Sequence, residues 1–471
     1  MRRLIFSWMA VCLALGLGCQ RKAEEPTQNA EQKTPTPTER ILARVHCKGF
    51  AHLAAGTNAS TLQEIWKLPE TETLRSMALE KLTPALLNVL VNANAQTNSN
   101  NAALLRPLLD DLLRSESVFE MVQRGDRPPV WTLALRLDEA RKDLWRENTA
   151  KLLQGGGAFL FSGKLTNGWI ALARDSTTVD STLPTNTPLW REVGSLPATV
   201  PESPHWLRAD ADWPRLTNAI PACSWLALPK FDLTVQGKDD GLRTEVHLHF
   251  AKPLNWPIEP WQLPTNTIRD PLISFTALRG FGPWVKTRDW FQKLGLASLP
   301  NQLVAWGQSD TPFQIQLAAP VGDATNELKR IAASWVPLVN SNLVDTPIEP
   351  VQVHTNVAQI NTRMLFLVPF IRVAPEPAGQ FLNAGIFPVQ PGPKVPPAEL
   401  FEQLNRTNLV YYDWEITQFR LGQLRETLDL LGTLLTLPQM GTNSVARRWV
   451  DAAAPKLGNT ITELSATSSE E

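Results

Sequence analysis

Apolar residues recur along this chain in two rhythms, alternate positions or every third and fourth, and the changes of rhythm predict its elements. Ile41 to Lys48 reads as a strand. Gly49-Phe50 turns it into a polar connection, Gly56 to Ser60, that offers N-caps for a helix through Leu62, Ile65 and Trp66. Leu74, Met77, Ala78, Leu82, Leu86 and Leu90 mark a second helix, which Pro84 should kink or divide. Asn92 to Asn101 predicts a loop, and Leu104 to Leu113 a short amphipathic helix with Asp110 and Asp111 on its wet side. Val118 to Gln123 and Val130 to Leu137 read as strands paired across Gly125 to Pro129. Asp138 then caps a helix from Glu139 to Leu153, stopped by Gly155-Gly156-Gly157. Two more strands, Ala158 to Phe161 and Trp169 to Arg174, precede a Pro- and Thr-rich loop that runs to His205. Trp206 to Ala209 is a strand and Trp213 to Ile220 a helix. Phe231 to Gln236 and Leu242 to Phe250 form a hairpin whose Asp240-Gly241 suits positive backbone angles.

The order then recurs. Past a Pro- and Trp-rich linker, Ala251 to Asp270, Ile273 to Leu278 is again a strand, and Arg279-Gly280-Phe281 answers Lys48-Gly49-Phe50. A helix carrying Trp290, Phe291 and Leu294 stands where Trp66 stood, and Leu303 to Gly307 with Phe313 to Ala318 repeats the strand pair. Asp323 opens a helix whose Leu328, Ile331, Ala332, Trp335 and Val339 make one apolar stripe. Ala358 to Val373 supplies strands, Leu409 to Asp413 answers Leu207 to Asp210, Phe419 to Leu435 is a long helix, and Thr460 to Ala466 corresponds to Phe231 to Gln236. No segment answers Leu242 to Phe250, so the expectation is either a chain incomplete at its C-terminus or an open strand edge blunted by the terminal Ser-Ser-Glu-Glu. The expected fold is α+β: two tandem pseudo-repeats, 41–250 and 271–471, each a mostly antiparallel sheet with helices packed on one face.

Ahead of the repeats, Arg2 and Arg3 precede an apolar run from Leu4 to Leu17, too short for the roughly 20 residues of a spanning helix. This reads as an export signal over residues 1–18. Leu15-Gly16-Leu17-Gly18-Cys19 resembles the lipobox of bacterial lipoproteins, with Gly16 where Leu is usual. The resemblance implies a diacylglycerol on Cys19, the first residue of the mature chain. Residues 19–40 are polar and Pro-rich and read as a disordered tether. The implied location is the cell envelope, periplasm-facing and held to the membrane by Cys19, or secretion if the thiol stays unmodified. The Lys-Gly-Phe turn and Trp66-Lys67-Leu68-Pro69 make the mature chain similar to a group of uncharacterised bacterial envelope proteins, a likeness that implies no activity and no site residues.

Composition narrows the partners. With 45 Lys plus Arg against 46 Asp plus Glu, no global field draws the chain to nucleic acid. Cys47 and Cys223 remain to pair or to stay buried as thiols. The faces of the 17 Trp can stack on sugar rings, but in a globular body most serve as core.

The chain shows no nucleophile elbow, zincin helix, dinucleotide loop or C-x-x-C, and Gly157 to Lys164 fails as a phosphate loop because Leu165 follows the lysine. Asp210 and Asp212 start like a calcium loop but lack its glycine and distal glutamate. One constellation stands out. On the strand Leu242 to Phe250, alternation puts Val246, Leu248 and Phe250 on one face and Glu245, His247 and His249 on the other. A carboxylate and two imidazoles can hold zinc and activate water, although polar residues also belong on the wet side of a half-buried strand. The leading expectation is a non-catalytic, cofactor-free lipoprotein that binds an envelope protein or ligand. Its alternatives are a periplasmic carrier of a lipid or other apolar ligand, and a metal-dependent hydrolase using Glu245, His247 and His249.

Overall fold

A computed structural model describes residues 39–55, 59–90, 99–125, 129–152, 159–162, 168–174, 187–196, 205–220, 228–252, 258–286, 300–308, 314–343, 350–363, 367–389, 391–395, 400, 406–434 and 444–466. The leader, Cys19, the glycine triplet, Cys223 and the Trp290 segment lie outside them. The chain divides into two compact units between Lys252 and Pro253.

The first unit runs β1 (Glu39–Cys47), α1 (Gly49–Ala55), α2 (Ser60–Trp66), α3 (Pro69–Leu90), α4 (Ser99–Arg114), β2 (Ser117–Arg124), β3 (Val130–Arg136), α5 (Glu139–Leu152), β4 (Phe159–Ser162), β5 (Trp169–Arg174), α6 (Pro188–Glu192), β6 (His205–Ala211), α7 (Trp213–Ala219), β7 (Lys230–Lys238) and β8 (Gly241–His249). Its strands form one sheet in the order β4-β5-β3-β2-β1-β6-β7-β8. All described pairings are antiparallel. Alternation sends Leu133, Leu135, Ile170 and Leu172 to one face, where Leu79, Leu105, Leu109 and Trp145 of the long helices meet them. Ala134, Trp169 and Ala171 point the other way and are covered by Leu189 and Val193. The cover there is α6, a short helix inside the segment expected to be loop, capped by Thr187, whose side chain accepts from the Trp190 N–H.

The second unit runs β9 (Ser274–Arg279), α8 (Gly282–Lys286), β10 (Gln302–Gly307), β11 (Ile315–Val321), α9 (Ala324–Leu343), β12 (Gln352–His354), β13 (Gln359–Asn361), β14 (Phe370–Glu376), β15 (Gly379–Gly385), β16 (Leu409–Ile416), α10 (Thr417–Leu434), α11 (Val445–Ala453) and β17 (Asn459–Ser465). The sheet order is β12-β13-β14-β15-β11-β10-β9-β16-β17. Dropping β12, β13 and β8 leaves the same seven-strand order in both units: β4-β5-β3-β2-β1-β6-β7 matches β14-β15-β11-β10-β9-β16-β17. The fold is thus α+β, with two helix-flanked sheets built as tandem pseudo-repeats. Local signals recur with it. Gly49 and Gly280 both take positive φ, 77° and 80°, as the chain leaves the central strand. Asp138 accepts from the Arg141 N–H at 2.8 Å and Asp323 from the Asn326 N–H at 3.0 Å, so both crossover helices carry the expected cap.

Several local expectations give way to packing. Of the two outcomes expected at Pro84, a kink or a break, the break does not occur, since α3 runs through it. Asp111, placed on the wet side of α4, is buried against α5. Trp335, placed in the α9 stripe, is 41% exposed, while Leu328, Ile331 and Val336 face the sheet. In the β7–β8 hairpin the loop is Asp239-Asp240, because Lys238 already pairs with Gly241, and the positive φ falls on Asp239.

The largest departure concerns the linker. Trp261, Leu263 and Ile268 pack on the second sheet beside Phe275, Trp306 and Phe381, so residues 258–272 build a face of the domain. An irregular segment laid on a sheet brings backbone groups with no ladder to join, and buried amides and carbonyls need partners. The sheet supplies them from its own side chains. Gln302 donates to the Pro260 carbonyl at 2.6 Å and accepts from the Gln262 N–H at 2.9 Å. Gln308 donates to the Arg269 carbonyl, and Gln314 and Gln316 serve a second irregular stretch in the same way, donating to the carbonyls of Pro388 and Phe387. Arg279 donates to the carbonyls of Glu259, Thr407 and Leu409 and lies under the Trp261 ring, 4.4 Å from its centroid.

Two stability predictions follow from this packing. Replacing Gln302 with Leu removes the side-chain partner of two part-buried backbone groups, the Pro260 carbonyl and the Gln262 N–H, and should cost roughly 1–2 kcal/mol in urea unfolding. A Cβ on Gly49 would sit 2.3 Å from the Arg114 carbonyl oxygen, whereas nothing lies within 4 Å of one on Gly422 inside α10. Gly49→Ala should therefore destabilise by roughly 2–3 kcal/mol, and Gly422→Ala should stabilise by about 0.5–1 kcal/mol. Equal effects at the two sites would contradict the assignment.

Candidate functional site

Strand β8 pairs with β7 in unbroken register from Lys230 opposite His249 to Lys238 opposite Gly241, and it closes the first sheet as its outermost strand. Glu245, His247 and His249 share a face of β8, as alternation requires. Their side chains have separate engagements. Glu245 Oε1 holds Arg243 at 2.6 Å, and His249 Nε2 lies 3.0 Å from Asp232 Oδ1 on β7. Among the described residues, no three His, Cys, Asp or Glu side chains gather as a metal-binding group. On the opposite face Leu242, Val246, Leu248 and Phe250 are 39%, 47%, 38% and 45% exposed. The apolar cover stops at β7, whose Val235 is buried with Leu53, Ala59 and Trp206, so the side of β8 expected in the core faces outward. Soluble chains rarely leave such a row bare at a sheet edge.

A second assembly forms where α4, β2, β3 and α5 meet. Arg141 donates to both Asp111 oxygens, with its shortest contact at 2.6 Å, and the Trp145 indole N–H donates to the same carboxylate at 2.8 Å. Glu116, also buried, meets His46 Nε2 at 2.9 Å and Arg136 Nη2 at 3.0 Å. Arg136 in turn lies 5.2 Å from the Trp169 ring centroid. A cleft of about 500 Å³ opens between Arg114, Ser115, Arg136, Asp138 and Arg141. Each arginine in it faces a carboxylate, Arg114 with Asp110, Arg136 with Glu116 and Arg141 with Asp111. The wall is therefore polar but balanced, which suits hydrogen bonding to a neutral or zwitterionic group better than capture of an anion. His46 and His52, isolated in sequence, come to this corner; burial and the neighbouring Lys48 hold the His52 ring below its ordinary pKa. Burial likewise pushes the Cys47 thiol up, leaving it a poor nucleophile.

Sequence reading missed Glu120. It interrupts the apolar positions of β2, is fully buried, and accepts the Leu189 N–H at 2.8 Å, tying α6 to the sheet. Its other oxygen faces Arg44 at 3.6 Å. The sequence signal was a lone acid among Val118, Met121 and Val122.

No protein-family profile matches the chain, and no curated protein or solved structure matches it. No described helix is long and apolar enough to cross a membrane.

Burial raises the Glu120 pKa, with the Leu189 N–H and Arg44 opposing it. A carboxyl that holds its proton more tightly when folded contributes fully below the ordinary carboxylate pKa, and that contribution is lost as pH rises through the raised value. Glu120→Gln should remove this slope. The gap in melting temperature between variant and wild type should change in the variant's favour from about pH 4 to about pH 7; a gap that does not vary with pH contradicts the assignment.

Proposed function

We propose that this chain is a lipid-anchored protein of the bacterial cell envelope that binds a polypeptide partner through β8. The observation that carries the reading is the exposed apolar row Leu242, Val246, Leu248 and Phe250 on a strand that, among the described residues, pairs on one side only. Strand addition would complete the backbone hydrogen bonds and give the row cross-strand neighbours, each such pair contributing roughly 0.2–1 kcal/mol. The leader, Cys19 and the polar tether through residue 40 support an anchored location. Two acyl chains or more on Cys19 would hold the protein on a membrane, and the tether would let the folded units range from it.

A carrier of a lipid or other apolar ligand is the second reading, favoured by the same row. A metal-dependent hydrolase at Glu245, His247 and His249 has less support, because Arg243 and Asp232 already engage two of the three side chains.

Cells producing the full chain and fed labelled fatty acid should label it, and Cys19→Ser should abolish both the label and membrane fractionation. The wild-type chain and a Val246→Lys/Leu248→Lys variant are then purified from native envelopes and their companions identified by mass spectrometry. A stoichiometric polypeptide present with wild type and absent with the variant is expected. Identical companions for both would remove β8 from the reading, and a lipid lost in the variant would favour the carrier.

A further inference from the structure

We infer that the partner of β8 is β8 of a second copy of this chain, paired antiparallel about a two-fold axis at Val246. The inference rests on the reading of β8 as a docking strand and goes on to name what docks there.

Edge strands in monomers are blunted by proline, lysine, bulges or shortness. The sequence of β8, GLRTEVHLH, contains neither proline nor lysine, and its nine pairs with β7 carry no register shift. By contrast β17, the outer strand of the second sheet, joins a neighbour whose register shifts between Leu409 and Tyr411. Nor is charge a barrier on β8, since Arg243 and Glu245 neutralise each other at 2.6 Å.

Self-complementarity then selects one register. In a two-fold antiparallel pair, residues equidistant from the axis on the two copies lie opposite each other and share a face. Centring on Val246 sets Leu242 against Phe250 of the second copy, Thr244 against Leu248 and Val246 against itself, so each of the four exposed apolar side chains gains a cross-strand neighbour on its own face. On the polar face the same axis sets Glu245 against His247 twice. Arg243 meets His249, whose ring already lies against Asp232, so a carboxylate answers the guanidinium. The axes at Thr244, Glu245 and His247 fail on these terms. Centring on Glu245 opposes two carboxylates, which destabilises a cross-strand pair. Centring on Thr244 leaves Leu248 and Phe250 bare, and centring on His247 opposes two imidazoles and sets Leu242 against Lys252. The Val246 axis joins two first sheets through their outer strands.

The test uses the full chain in mild detergent, with Cys47 and Cys223 replaced by Ser for cross-linking. Sedimentation equilibrium should give twice the chain mass for wild type and for Val246→Thr, but the single-chain mass for Val246→Lys with an unchanged thermal melt. Under oxidant, Val246→Cys should cross-link to itself. Leu242→Cys alone should not, because its two copies lie eight residues apart along the ladder, about 27 Å; mixed with Phe250→Cys it should. A wild type that stays single at all concentrations, a dimer indifferent to Val246→Lys, or Leu242→Cys cross-linking alone would each overturn the pairing. A single-chain wild type whose envelope companion is still lost in the lysine variant would overturn self-pairing and keep β8 as a docking strand, whereas loss of neither would overturn both.

Discussion

A left-handed glycine ends the central strand of each repeat, and the architecture around it depends on that turn. At Gly49 the chain passes so close to the Arg114 carbonyl that no side chain fits. The contact pins the exit of β1 to the junction of α4 and β2, and from that junction project Asp111, Arg114, Ser115 and Glu116, which with Arg136, Asp138 and Arg141 build the charged corner. Backbone geometry at one residue thus decides which charges meet. Gly280 makes the same turn in the second repeat, where its N–H donates to the Asn301 carbonyl and the Asn301 side chain accepts from Gly282.

The two repeats solve one problem with different material. A sheet with apolar side chains on both faces needs two covers. In the first repeat helices provide both, because α3, α4 and α5 take one face and α6 the other. The second repeat lays an irregular strap on its second face. Gln302 on β10 and Gln308 just past its end reach carbonyls of that strap, while Gln314 and Gln316 do the same for Pro388 and Phe387 in the stretch after β15, so polar residues within a buried surface serve as backbone partners. The buried Glu120 has the same role in the first repeat, accepting from α6.

Those covers have limits, and the functional proposals sit at one of them. The apolar layer over the first sheet ends on β7, leaving β8, among the described residues, paired on one side only and with its apolar row half-exposed. An edge of that kind favours another strand, and its regular register makes the docking geometry specific. The charged corner, by contrast, is internally balanced and locked by short contacts to Asp111 and Glu116, which makes it a rigid support for the neighbouring elements.

By itself the sequence determined the α+β class and the recurrence of most elements in one order, because these follow from local periodicity, glycine conformation and helix caps at Asp138 and Asp323, but it gave no sign of α6, β15 or α11. Alternation also told correctly which residues of β8 share a face. Only the tertiary structure decided which face is covered. Asp111 was placed in water because spacing along α4 reveals nothing of α5, which brings Arg141 and Trp145 to it. Trp261 and its neighbours read as linker because they have no period, and their burial depends on glutamines distant in sequence. Val246, Leu248 and Phe250 read as core because hydrophobicity records a preference for burial; where the covering layer stops is set by contacts between elements, and no local pattern encodes it.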